Sequence, residues 1–116
     1  MKRKFRLTRS MDIQRVRRTG RSYAHPILVL MVQHSDQPFT RVGVIAGKGV
    51  GKAVQRNRAK RLLREAFRMI YPSVLQGYDV LLIARKKLLD TKFSEIKEVI
   101  NSLLSGADLL QTNDNH

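Results

Sequence analysis

The sequence predicts an α+β fold, a single domain in which helices pack against one mixed β-sheet in the order α-β-β-(β)-α-β-α. Continuous apolar runs, at 27–32 and at 80–84 within the segment 79–85, are typical of strands that are covered on both faces. Between these runs, residues 53–71 repeat apolar side chains with the period of a helix. A chain of 116 residues suits one domain with a modest core, so 1–116 is treated as one unit.

The first helix is predicted to begin near Ser10, as its N-cap, and to end at Gly20. A basic arm, residues 1–6, precedes it. Only Ile13 and Val16 share its apolar face, so this short helix needs support from the rest of the domain.

Strands are predicted over 27–32 and 41–46, the second antiparallel to the first, with room for a short extra strand near 45–50. The helix over 53–71 leads to a further strand over 79–85. A helix that connects two buried strands is typical of a β-α-β unit with parallel strands.

The last helix is predicted to begin near Asp90-Thr91, with Gly106 as a suitable C-cap. Its apolar side chains form one stripe that faces the core. The polar tail over 107–116 is predicted to fray.

Composition narrows the function classes. The chain has no cysteine, which excludes disulfides, thiolate metal sites and cysteine nucleophiles and fits a cytoplasmic location. No apolar run approaches the roughly 20 residues of a membrane span, and no apolar segment follows the basic N-terminus as in a signal peptide.

Charge gives the strongest functional signal. Lys and Arg total 23 against 9 Asp and Glu, which gives a net charge of +14, whereas solubility needs only about 2 to 8 charges in a small domain. The cations concentrate in 1–21 and 52–68, and the acids concentrate in 88–116. A polyanionic partner explains this excess. The low aromatic content, 6%, favours a nucleic acid over a membrane surface.

The helix over 53–71 has one apolar and one basic side. The apolar side carries Ala59, Leu62, Leu63, Ala66, Met69 and Ile70, and the polar side carries Arg56, Asn57, Lys60, Arg61, Arg64 and Arg68. Among these cations Arg56, Lys60, Arg64 and Arg68 follow one another at four-residue spacing, at which like charges repel each other. Phosphate ligands best explain such a row. A merely solvated basic face is the alternative.

Glycines before this helix, at 47, 49 and 51, also allow a nucleotide-binding loop to be considered. The P-loop pattern requires a glycine where the chain has Ala46 and a Ser or Thr where it has Ala53. That reading is therefore disfavoured.

The segment from Arg41 to Arg68 resembles the signature of the bacterial ribonuclease P protein subunit. Its core is Arg56-Asn57-Arg58, followed by Lys60-Arg61, Arg64-Glu65 and Arg68 and preceded by Gly51 and Ala53-Val54. The likeness extends over nearly the whole chain, including the segment from Leu7 to Gly20 and the strand over 79–85.

The resemblance implies a left-handed β-α-β crossover, against the usual rule. It also implies that the RNA subunit performs the hydrolysis with Mg²⁺ bound mainly by RNA, and that the protein holds no catalytic residue. No metal site is expected in the protein, because its histidines, at 25, 34 and 116, have no ligand spacing. The expected partners are the catalytic RNA and the 5′ leader of precursor tRNA, not DNA or membrane. One monomeric protein is expected per RNA.

The resemblance also assigns two sets of site residues. The catalytic RNA is expected to contact Lys48, Lys52, Arg56, Asn57, Arg58, Lys60, Arg61, Arg64 and Arg68. The leader is expected in a cleft between the first helix and the sheet, with the candidates Phe5, Arg9, Ile13, Arg17, Tyr23, Leu30 and Met31.

The cleft departs from the family pattern, because Ile13 and Arg17, and Leu30 or Met31, stand where aromatic residues are common. The predicted cleft therefore relies on apolar contact, guanidinium stacking and charge. A ribosomal protein would share the basicity without stimulating cleavage. A DNA-binding regulator would need readers of base edges and usually a dimer.

Overall fold

The computed structural model describes residues 2–111 and confirms the predicted fold class. Its helices and strands are α1 (Ser10–Thr19), β1 (Arg21–Ala24), β2 (Leu28–His34), β3 (Arg41–Ile45), α2 (Ala53–Ile70), β4 (Tyr78–Ala84) and α3 (Phe93–Gly106). The four strands form one mixed sheet in the order β1-β2-β4-β3. No helix in this part of the chain is long and apolar enough to cross a membrane.

The strand pairing confirms the β-α-β unit. β3 and β4 are parallel neighbours connected by α2, and β2 pairs antiparallel with β1 and β4. β2 and β3 run in opposite directions, as predicted, but β4 lies between them and they do not pair. The left-handedness of the crossover stays a prediction of the family resemblance.

The extra strand lies elsewhere than predicted. It is β1, which follows α1 directly, whereas Lys48–Val50 forms a 3₁₀ turn. A Cβ atom at Gly20 would lie 2.5 Å from the carbonyl oxygen of Val16, so glycine permits the tight passage from α1 into β1. β1 has no apolar run and is mostly exposed, so its sequence carries little strand signal.

Side-chain alternation divides the sheet into two faces. One face packs against α2 and α3 and holds the main core. That core includes Leu28, Leu30, Leu63, Phe67, Leu82, Ile96, Ile100 and Leu104, each 0% exposed. Burying each large apolar side chain contributes roughly 1.5–3 kcal/mol. Met69, predicted on the apolar side of α2, is instead 50% exposed.

The opposite face carries α1 and a smaller cluster. Val16 is the buried residue of α1, and it packs with Leu7 and Leu81, with Ile13 and Met31 at the margin. The helix begins at Ser10 without a side-chain cap, so the prediction of Ser10 as N-cap is wrong. Support from the sheet, as the sequence indicates, is what holds this short helix.

The end of the chain is ordered further than predicted. Ala107 and Leu109 are each 1% exposed, and the Leu75 amide donates to the Leu109 carbonyl at 2.7 Å. Gly106, the predicted C-cap, is the last residue of α3; the C-cap is Ala107, and Asp108, with φ 59°, takes the left-handed conformation after it. The prediction of a frayed tail is wrong for 107–111, because buried apolar groups anchor this segment. Residues 112–116 lie outside the described part.

Candidate nucleic-acid interface

A row of cations lies along the exposed side of α2. Arg56, Lys60 and Arg64 follow one another at four-residue spacing, so successive positions are about 6 Å apart along the helix axis. Arg56 and Lys60 are half-buried and Arg64 is exposed, so parts of the stems pack on the protein while charged heads can remain in solvent. We call these three residues the α2 row.

The charges of the α2 row are available to a ligand. Among residues 2–111, none of its members lies within 4 Å of a carboxylate. Arg68, the next residue in the same register, instead forms an ion pair with Glu65. This hydrogen bond lowers the pKa of Glu65 and raises the pKa of Arg68. The structure therefore separates Arg68, which has a carboxylate partner, from the α2 row.

The other predicted members of this set take different positions. Arg58 and Arg61 line a shallow cavity of about 460 Å³ with Leu62, Glu65 and Phe93, at the side where α2 meets α3. The basic residues of α2 therefore do not form one flat surface. Asn57 is exposed.

The loop before α2 has both of its predicted cations exposed, Lys48 and Lys52. Buried Val50 anchors the loop. Gly51 has φ 148°, and the amide of Lys52 donates to Oε1 of Gln55 at 2.7 Å. This local bond satisfies one helical N-terminal group, and the glycine conformation lets the chain turn into α2.

A groove lies on the α1 face of the sheet. Its cavity of about 330 Å³ is lined by Arg17, Ile45, Gly47, Gly49, Val50, Ile83, Ala84, Arg85 and Lys86. Ile45 pairs with Ile83 and Ile83 pairs with Val29, which places these side chains in one apolar row across three strands. An apolar floor between cations suits a single-stranded nucleic acid, whose bases and phosphates need different surroundings. We call this cavity and its lining the groove.

Three predicted cleft residues lie on this face. Arg17 lines the groove, and Ile13 and Met31 pack against the small cluster under α1. A second, smaller cavity of about 220 Å³ joins Ile13 to Arg6 and Arg64 at the edge of β3. Ile13 therefore connects the groove side of α1 with the α2 row.

The structure shows that two strand residues predicted in the cleft lie elsewhere. Leu30 is 0% exposed in the main core, and Tyr23 pairs with it and packs on that same core. Both point away from α1, because alternate residues of a strand face opposite sides. They cannot line a cleft between α1 and the sheet, whereas Met31 can.

Two residues of the N-terminal segment also lie away from the groove. The Phe5 ring packs 5.4 Å from Phe39 and 5.2 Å from Tyr71, between ring centroids, beside the end of α2. Arg9 lines a separate polar cavity with Arg41 and other charged residues. Neither residue is part of the predicted leader cleft as the structure forms it.

The sequence interpretation missed the groove residues that come from the ends of β3 and β4. Arg85 and Lys86 follow β4 directly, Ile45 is the last residue of β3, and Ile83 is the last but one of β4. Parallel neighbours present their carboxyl ends at the same edge of a sheet, so the basic run after β4 was a usable signal. Among residues 2–111, no group of three His, Asp or Glu side chains could hold a metal ion.

Comparisons with known proteins point to one family. A family model described as Ribonuclease P matches residues 1–108. The ribonuclease P protein component of Symbiobacterium thermophilum is 46% identical over 113 residues, which cover 96% of this chain and 97% of that protein. That of Herpetosiphon aurantiacus is 38% identical over 109 residues, covering 94% and 89% of the two chains.

Solved structures show the same fold. The ribonuclease P protein of Staphylococcus aureus matches with a TM-score of 0.81 and 28% identity, over 92% of this chain and 98% of that chain. The Thermotoga maritima protein matches with a TM-score of 0.75 and 29% identity, over 84% and 94%. From its sequence, its fold and the extent of these matches, the chain belongs to the ribonuclease P protein family.

Proposed function

We propose that this chain binds the catalytic RNA of a bacterial ribonuclease P through the α2 row and its neighbouring loop, and that it binds the 5′ leader of precursor tRNA in the groove. The main observation in support of this proposal is that the two cationic surfaces meet at α1 but differ in shape and polarity. One is a convex helix face, and the other is a concave surface with an apolar floor.

The α2 row suits a structured RNA backbone. Its three cations have no carboxylate partner among the described residues, and Lys48 and Lys52 extend the positive surface at the start of the helix. Arginine can bind two phosphate oxygens through one guanidinium group. Contacts of this kind position the protein on RNA without reading its sequence.

The groove suits a short single strand. Ile45 and Ile83 offer apolar contact to bases, while Arg17, Arg85 and Lys86 can bind the phosphates beside them. The lining contains no aromatic ring. Because stacking on an aromatic side chain contributes roughly 1–3 kcal/mol per base, we expect weak discrimination between leader bases.

In this proposal the protein supplies binding and orientation. The RNA performs the hydrolysis and holds the Mg²⁺ ions, and one monomeric protein acts per RNA in the cytoplasm. Positive charge from the protein offsets repulsion between two RNA molecules, so less Mg²⁺ is needed for the same association. This reasoning predicts that stimulation is largest at low Mg²⁺.

The direct test is cleavage of a precursor tRNA by a bacterial ribonuclease P RNA, at low and high Mg²⁺, with and without the protein. We expect cleavage at the mature 5′ end and strong stimulation at low Mg²⁺ only. A variant with two α2-row substitutions, Arg56→Ala with Lys60→Ala, should lose most of it. The control Lys92→Ala, at an exposed cation before α3, should retain it. Tight RNA binding without stimulation would indicate a ribosomal type of RNA-binding protein instead.

A further inference from the structure

An ionic network centred on one buried aspartate connects α1 to three strands on the side of the helix that faces away from the groove. At its centre Asp79 of β4 is 0% exposed. Asp79 accepts hydrogen bonds from Nη2 of Arg15 at 2.7 Å and from Nε and Nη2 of Arg41, each at 2.9 Å. We call the whole set the Asp79 network; its members are Asp12, Arg15, Thr19, Gln33, Arg41 and Asp79.

The network bonds α1 along much of its length. Arg15 also bonds Asp12 at 3.3 Å and the Gln33 side chain of β2, and Gln33 in turn donates to the Thr19 hydroxyl. The hydrogen bond with Asp79 raises the pKa of Arg15, so this side chain stays charged and bonded. Each carboxylate and amide in the network has a partner, and no buried side-chain polar atom among the described residues lacks one.

Few apolar side chains of α1 are buried. The helix has 10 residues and a single buried side chain, Val16, and a helix of that length is marginal by itself. The nonpolar contacts of Val16 and half-buried Ile13 permit sliding and rotation, whereas directional hydrogen bonds do not. Buried ion pairs generally add little net stability but can select one geometry.

The position of α1 matters because α1 forms one wall of the groove. Arg15 and Arg17 are about 200° apart around the helix, so one side chain reaches the Asp79 network while the other reaches the groove. Along β4, Asp79 and Ile83 are four residues apart, about 13 Å. The Asp79 network therefore fixes the side of α1 that faces away from the groove, whereas Arg17 lies on the side that faces the groove.

We propose that the Asp79 network is a positioning device, which sets the separation and rotation of α1 over the sheet and thereby the affinity for the RNA leader. The proposal rests on the leader assignment made above. Asp79, Arg15 and Gln33 touch no leader in this account and act through Arg17 and the groove. Without the network, α1 would populate several orientations. Only a fraction of them would leave the groove able to bind the single-stranded RNA leader.

The test compares KM for a precursor tRNA with a leader of several nucleotides and for one with a single leader nucleotide, using the reconstituted holoenzyme. The variants are Asp79→Asn and Arg15→Ala, with Arg15→Lys as the conservative rescue. If the competent population of α1 falls to about one tenth, KM for the long leader rises about tenfold. KM for the short leader and affinity for the catalytic RNA should stay unchanged, and Arg15→Lys should recover part of the loss.

Two controls separate positioning from charge and from unfolding. Arg18→Ala removes the same charge as Arg15→Ala, but from an exposed position of α1. It should leave KM for the long-leader substrate at the wild-type value. Asp79→Asn makes the protein more positive, so electrostatics alone predicts tighter binding, whereas positioning predicts weaker binding. Gln33→Leu keeps the Asp79 pairs and offers a milder variant if Asp79→Asn fails to fold by circular dichroism.

The outcomes are distinguishable. If wild-type protein does not stimulate cleavage, the proposed function fails. If wild-type protein stimulates but folded Asp79→Asn, Arg15→Ala and Gln33→Leu all keep the wild-type long-leader KM, the positioning proposal fails. Equal losses with long and short leaders would also overturn it, because they would indicate a general structural role.

Discussion

Arg64→Ala tests most simply whether the α2 row docks on phosphates. Arg64 is exposed, has no carboxylate within 4 Å among the described residues, and stands at the junction of α2 with Arg6 and Ile13. Each phosphate contact on a duplex contributes about −0.9 to the slope of log affinity against log salt. Removing one contact should therefore flatten the slope by about 0.9.

The size of the effect follows from that slope. Between about 50 and 200 mM salt, a change of 0.9 corresponds to a factor of about 3.5. The affinity ratio of wild type to variant should therefore shrink about 3.5-fold over this range. Arg68→Ala should flatten the slope less, because Glu65 already partners Arg68, and Lys92→Ala should leave it unchanged.

The assay is fluorescence anisotropy of labelled catalytic RNA, titrated with each protein at four or more salt concentrations. The contrast between Arg64 and Arg68 is informative because both are exposed arginines of one helix. Parallel lines for wild type and Arg64→Ala would refute the phosphate contact. Equal flattening by Arg64→Ala and Arg68→Ala would refute the role assigned to the ion pair.

Three further predictions follow. Arg17→Phe places an aromatic ring at the groove and, compared with Arg17→Ala, which removes the same charge, should bind the leader more tightly by about 1–3 kcal/mol if one base stacks; equal KM values of these two variants for long-leader precursor tRNA would contradict this. Leu30→Ala should cost about 2–5 kcal/mol in the free energy of unfolding, measured by urea denaturation, without a leader-specific effect in the folded protein; a selective loss of leader binding would contradict its core assignment. Burial raises the pKa of Tyr71, so its contribution to stability is complete below pH about 10 and is lost as pH rises through the folded pKa. In alkaline melts Tyr71→Phe should lose less stability than wild type over this range; identical pH profiles would contradict this reasoning.

Local patterns predicted much of the fold correctly. The apolar side of α2 is read from a 3.6-residue period, and Leu63 and Ala66 are indeed buried there. The strand pairing was less accessible, because β2 and β4 are far apart in sequence and nothing local states that β4 enters between β2 and β3. β1 escaped detection because its four residues lack an apolar run.

The candidate site, like the fold, was predicted where the signal is local in sequence and missed where it depends on residues far apart. Sequence patterns identified the cations of α2 but not the ion pair that separates Arg68 from Arg64. In β2 the alternation predicts that Leu30 and Met31 face opposite sides, but only the placement of α1 shows which one borders the cleft. The partners of Asp79 lie 38 and 64 residues away, beyond the range of any local pattern.

The claim that the chain has two separate RNA-binding surfaces can be tested by site-specific crosslinking. Because the natural chain contains no cysteine, Lys60→Cys and Ile83→Cys each give one attachment point for a photo-crosslinker. In the complex of protein, catalytic RNA and precursor tRNA, we predict that the label at position 60 crosslinks the catalytic RNA and that the label at position 83 crosslinks the leader. Crosslinking of both positions to the same RNA molecule would contradict the account.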